Sequence, residues 1–264
     1  MPTDGGQAGA APAAGPPAGG LPDRIGEQIT LVDEATGQLL SALAGPGWAG
    51  VDPGRATLCP GWTAGHVLTH LARNADGLRR CAEGARRGEA VPMYDSAGAR
   101  NRDIEAGAGR PLPELADDVT GSARALAEAW AAMSPADWPR PMGHPQAGSL
   151  PLHATPGLRL GEVLIHHVDL AGPYGPADWP AAFVAGLLAD VPGELTGRLP
   201  DGIAAEVRAT DTGAVWTAGS GAGTPVTVSG PSWAVAAWLT GRPAVARPAL
   251  RTGRGELPEL RPWR

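Results

Sequence analysis

The sequence predicts an α+β protein: a four-helix bundle over residues 23–174, then a small α+β domain over 175–264. Three observations predict it. Apolar residues recur at three- and four-residue steps in four long segments. Two long connections, over 84–110 and 134–156, favour a bundle over a simple up-down array. After Tyr174 the helical period gives way to short alternating segments bounded by Gly, Asp and Pro.

Each element follows in order. Residues 1–22 are almost entirely Gly, Ala and Pro and cannot bury enough apolar surface to offset chain entropy, so a disordered tail is expected. From Asp23, Ile25, Ile29, Val32, Leu39, Leu40 and Leu43 mark a first helix, ended by Gly45-Pro46-Gly47. The second follows Pro60-Gly61 with Thr63 as its N-cap. Trp62 and Val67 are spaced for a hydrophobic staple. Val67, Leu68, Leu71, Ala75 and Leu78 form its apolar face, and Gly77 is a candidate stop. Polar, glycine-rich 84–110 reads as a loop. Leu115, Val119, Leu126 and Trp130 mark the third helix, closed by Ser134-Pro135, and a proline-rich loop follows. The fourth helix is "LRLGEVLIHHVDLAG", from Leu158 to Gly172. Beyond it, Pro180 opens a helix through "AAFVAGLLADV". Residues 203–209, 214–219 and 225–230 read as strands of a meander, and "SWAVAAWLTGR" as a helix ending at Gly241.

Composition narrows the function. The formal net charge is −6 and no basic cluster appears, so nucleic acid is not the expected partner. No apolar run is long enough to span a bilayer, and no basic region with an apolar core marks a secretory signal. A cytoplasmic monomer that meets small molecules and no membrane is the expectation. Cys59 and Cys81 do not make a disulfide framework and read as structural thiols. Lysine is absent, and all 21 basic side chains are arginine. That excludes Schiff-base chemistry and a phosphate-loop lysine.

The fourth helix carries the chemistry. Arg159, Glu162, His166 and Asp169 lie at steps of three, four and three, so they share one stripe. Glu162 and His166 stand one turn apart, about 6 Å along the axis. The second helix supplies His70, with His66 one turn before it as the alternative. Two imidazoles and a carboxylate from facing helices are a common ligand set for catalytic zinc. Asp169 is placed to accept the other ring N–H of His166 and fix its tautomer. The bland alternative is a wet polar stripe with an Arg159–Glu162 ion pair. His167 falls on the apolar face and reads as a core histidine. His144 and His153 fall in the proline-rich loop. Asn74 and Asp76, one turn past His70, read either as substrate contacts or as helix-end residues.

"GWTAGHVLTHLARNADGL", followed at this distance by "RLGEVLIHHVDLAG", resembles the mycothiol-dependent maleylpyruvate isomerase family of DinB-like metal-dependent bundles. "VTVSGPSWAVAAWLTGR" is similar to that family's C-terminal domain. The resemblance implies a metal site of His70, Glu162 and His166, holding zinc. It also implies mycothiol as the low-molecular-weight thiol, and an arginine from the small domain near the substrate, for which Arg242 is the catalytic candidate. The implied reaction turns maleylpyruvate into fumarylpyruvate: a zinc-held thiolate adds to the alkene, the new single bond rotates, and the thiol is eliminated. Three other readings stay open. A thiol S-transferase has the same site and stops after addition. A metal-dependent hydrolase uses metal-bound water. A metal-free protein only binds a small ligand.

Overall fold

The computed structural model describes residues 20–145, 148–221 and 224–263. Of the expected tail, residues 1–19 lie outside the described residues. The first helix, α1 (Leu21–Leu43), opens two residues earlier than its apolar period suggests. Pro22 suits a first turn, where the missing N–H is not needed, and the Asp23 carboxylate accepts the Gly20 N–H at 3.1 Å.

The bundle consists of α1, α2 (Ala64–Arg86), α4 (Leu112–Ala131) and α5 (Thr155–Asp169). α2 packs on α4 and α5, and α1 packs on the same two. α2 does not stop at Gly77 but continues for two and a half further turns. The segment expected to be a loop over 84–110 contains a helix, α3 (Ala97–Gly107), capped by Ser96 Oγ, which accepts the Ala99 N–H at 3.0 Å. α3 lies against α2. At Gly65 of α2 a Cβ would stand 1.9 Å from the Ala108 carbonyl oxygen, so only glycine permits this approach. The proline-rich connection likewise holds a hairpin, β1 (Pro141–His144) against β2 (Gly148–Pro151), antiparallel.

In the C-terminal part, the helix after Pro180 is two pieces, α6 (Ala181–Leu187) and α7 (Val191–Leu195). Asp190 separates them by capping α7 through the Gly193 N–H at 2.9 Å. The sheet runs β4 (Val215–Gly219), β3 (Ala204–Ala209), β5 (Val226–Gly230), β6 (Arg251–Thr252). β3 pairs antiparallel with β4 but parallel with β5, so the expected meander is replaced by a crossover under the end of β3. Gly221 makes this possible: a Cβ there would lie 2.2 Å from the Gly202 carbonyl. α8 (Ser232–Leu239) covers β3 and β5, and a last short helix, α9 (Pro243–Ala246), follows it.

One contiguous apolar cluster runs from Leu39, Leu68 and Leu164 of the bundle to Val207, Val228 and Trp238 of the C-terminal part. Trp179 ties the two, donating its indole N–H to the Leu164 carbonyl at 3.1 Å. Among the described residues no helix is long and apolar enough to cross a membrane.

Candidate metal centre

α2 begins at Thr63, and His66 completes its cap. The Thr63 N–H and hydroxyl approach His66 Nδ1 at 3.2 and 2.7 Å, and His66 Nε2 meets Glu105 Oε2 at 3.1 Å. His66 is therefore engaged away from the stripe on α5. One turn on, His70 is buried and faces α5. Its Nε2 lies 2.8 Å from Glu162 Oε2, which is 3.3 Å from His166 Nε2. The donor atoms of His70, Glu162 and His166 all lie within 4.8 Å of one another, a group able to hold a metal ion. Two nitrogens and one carboxylate oxygen suit zinc and leave a tetrahedral position open.

The protonation states fit such a ligand set in part. Burial pushes His70 down to about 4, against the pull of Glu162, so it is a neutral imidazole at neutral pH. Burial alone would raise Glu162, but the charges and hydrogen bonds of His70 and His166 outweigh it and hold the carboxyl well below its usual range. Burial alone would lower His166. Hydrogen bonds with Asp169, Cys59 and Glu162 prevail and raise it well above the ordinary histidine value. Of the three, only His166 must give up a proton to bind a metal.

Asp169, fully buried, organises the far side of His166. Its Oδ2 lies 2.9 Å from His166 Nδ1 and accepts the Cys59 thiol at 3.1 Å. Cys59 reaches this point because the Leu58 N–H donates to the Asp169 carbonyl at 2.9 Å. Arg242, just beyond α8, crosses to α5 and takes both oxygens of Asp169. Its Nε lies 3.0 Å from Oδ1 and its Nη2 2.6 Å from Oδ2. Its Nη1 donates to the Thr240 carbonyl. Burial alone would raise Asp169, but the bonds from His166 and Arg242 keep it far down. Cys59, His166 and Asp169 form a second cluster of metal-ligand types. The bidentate guanidinium occupies the carboxylate there, so this cluster braces the first. Arg242 thus meets the far side of the candidate centre through Asp169 and does not line the cavity onto which His70 and Glu162 open.

The Arg159–Glu162 ion pair of the bland alternative does not form. Arg159 is fully buried and turns to α2, donating Nη1 to the Leu71 carbonyl at 2.7 Å and to Asn74 Oδ1 at 3.0 Å. It joins the two helices at the level of His70. Asp76 pairs with Arg73 at 3.0 Å instead of ending the helix. His167 stacks on Tyr174 with ring centroids 3.9 Å apart, and burial lowers it to about 4, as befits a core histidine. Cys81 donates to the Val91 carbonyl at 3.3 Å, and burial pushes its thiol up to about 11. Trp62, spaced in the sequence for a staple, faces the site: its ring centroid lies 5.2 Å from that of His70 and 6.1 Å from that of His166.

His70 and Glu162 open onto a cavity of about 680 Å³, also lined by Asn74, Tyr94, Arg100 and His144. Arg100, on α3, was not legible as a site residue, because its segment reads as a loop. Its Nη2 lies 3.0 Å from His70 Nδ1.

A family model described as the mycothiol maleylpyruvate isomerase N-terminal domain matches residues 30–171. Two solved structures are similar over 90% of this chain and 97% of theirs. The crystal structure of the mycothiol-dependent maleylpyruvate isomerase has a TM-score of 0.79 at 27% identity. That of a histidine-to-alanine variant has a TM-score of 0.80 at 26% identity. No curated protein sequence matches the chain. With more than half of its residues under the family model and the helical part followed by a mixed four-stranded sheet, the chain belongs to the mycothiol maleylpyruvate isomerase family.

Proposed function

We propose that the protein catalyses the mycothiol-dependent cis–trans isomerisation of maleylpyruvate to fumarylpyruvate, with zinc held by His70, Glu162 and His166. The observation that carries this is the convergence of those three donors, two of which, His70 and Glu162, line a cavity of about 680 Å³, in a chain of this family. Zinc at such a site lowers the pKa of a thiol and holds its sulfur.

The residues around it have separable roles. Among the described residues the protein's own thiols do not compete for the site. Cys59 stands on the Nδ1 side of His166, 4.0 Å from that nitrogen, and Cys81 is buried under Val91. An external thiol therefore fits. Asp169 fixes the ring of His166, and Arg242 fixes Asp169 from the C-terminal part.

The test is turnover of maleylpyruvate by the zinc-loaded protein with and without mycothiol. Trans product that forms only with the thiol is the expected result. Accumulation of a stable conjugate identifies a thiol S-transferase instead, and turnover without thiol sinks the reading. Alanine at His70, Glu162 or His166 is expected to lower zinc content strongly by elemental analysis. Normal content in two of these variants removes the assignment.

A further inference from the structure

We propose that Arg100, rather than Arg242, is the specificity-determining residue that binds a carboxylate of the substrate. This rests on the proposed reaction only in taking the substrate to be a small carboxylate. Among the described residues three guanidinium groups, those of Arg100, Arg159 and Arg242, stand near the candidate metal centre. Arg159 is sealed in the interior on Leu71 and Asn74. Arg242 gives both faces of its fork to Asp169. Of the three, Arg100 alone lines the cavity onto which His70 and Glu162 open.

Its partners are of a different kind. Among the described residues, Arg100 makes no ion pair with a carboxylate. Its hydrogen bonds go to neutral acceptors, His70 Nδ1 at 3.0 Å and Asn101 Oδ1 at 3.2 Å. Its guanidinium carbon lies 5.8 Å from the ring centroids of both Trp62 and Tyr94, which place the group without neutralising it. Among the described residues the only carboxylate lining the cavity is Glu162, already shared between His70 and His166. That carboxylate is engaged by the two histidines, so among the described residues none lining the cavity is left to pair with Arg100.

The bond to His70 is also conditional. A guanidinium only donates, so His70 Nδ1 accepts and Nε2 carries the hydrogen. An imidazole that ligates a metal through Nε2 carries its hydrogen on Nδ1 and cannot accept there. A loaded site thus releases Arg100 from His70 while the two aromatic rings still hold it at the cavity wall. The released fork matches a carboxylate, two donors to two oxygens.

The experiment uses the full-length zinc-loaded protein, with maleate as an inert probe and maleamide as its neutral counterpart, titrated by calorimetry. Maleate is expected to bind and maleamide to bind far more weakly. Arg100→Ala is expected to weaken maleate about ten- to a hundredfold and leave maleamide unchanged. Arg100→Lys should recover part of the loss, and zinc content and melting temperature should match the parent in both variants. The proposal is overturned if the parent does not prefer maleate, or if Arg100→Ala binds it as the parent does. Loss of zinc from Arg100→Ala also overturns it, because the residue then only orients His70. A parent that binds maleate through Arg100 but does not isomerise maleylpyruvate ends the isomerase reading and leaves this one standing.

Discussion

His166 presents both ring nitrogens to carboxylates, Nε2 to Glu162 and Nδ1 to Asp169, and this decides what its proton does. Without metal the ring is held protonated, its pKa well above the ordinary value. A metal must displace that proton, so zinc affinity should rise with pH, by about tenfold per unit below the raised pKa. Calorimetry at pH 7 in two buffers of different ionisation enthalpy should show about one proton released per zinc. No release would mean that His166 is not a ligand. The sign for the metal-free protein is the opposite. A raised pKa contributes stability that is complete below the unfolded value, about 6.5, and is lost as pH rises through the folded one. Much of this residue-scale picture was legible, because Glu162, His166 and Asp169 share a helix whose period assigns their faces. Cys59 and Arg242 were not legible as partners of Asp169. They arrive from 110 and 73 residues away, and no local pattern encodes that meeting.

The long amphipathic helices were the readable elements, since α1, α2, α4 and α5 bury a continuous apolar stripe. α3 was hidden for a physical reason. Ile104 is its only buried residue, so it shows no apolar period. Gly107, one of the glycines that make the segment read as a loop, instead permits helices to touch, since a Cβ there would stand 2.5 Å from Thr69 Cγ2 of α2. The missed helix carries Arg100, and the cavity wall was missed with it. The crossover of β5 was hidden similarly, in glycines that read as turn residues. α8 depends on a contact across the same region. Asp211 Oδ1 accepts the Ser232 N–H at 3.0 Å and its hydroxyl at 2.7 Å, capping the helix from another segment. Asp211→Ala should cost about 1 kcal/mol in urea unfolding at neutral pH. Burial would raise the Asp211 carboxyl, but the bonds from Ser232 hold it below its usual value. Its contribution is therefore complete above the unfolded pKa, about 3.9, and disappears as pH falls through the folded one. A variant whose deficit is unchanged in strong acid would show that the cap is not the cause.

At the scale of the molecule, the candidate metal centre is finished by a residue outside the helical part. A chain cut after residue 174 keeps His70, Glu162 and His166 but loses the apolar cover of the shared core and the partner of Asp169. Breaking a buried pair by removing one member costs about 3–5 kcal/mol. The shortened chain should melt without a sharp transition and hold zinc weakly, as thermal scanning and elemental analysis would reveal. A cooperative, fully loaded fragment would show that the C-terminal part is dispensable. The Asp169–Arg242 bond also bears on how chains of this kind can be recombined. A foreign C-terminal segment grafted onto the helices must deliver a guanidinium to one spot beside α5, or an apolar residue must replace the aspartate in the same event. Either change alone strands a charge in the interior, so the two halves are transmissible only as a matched pair.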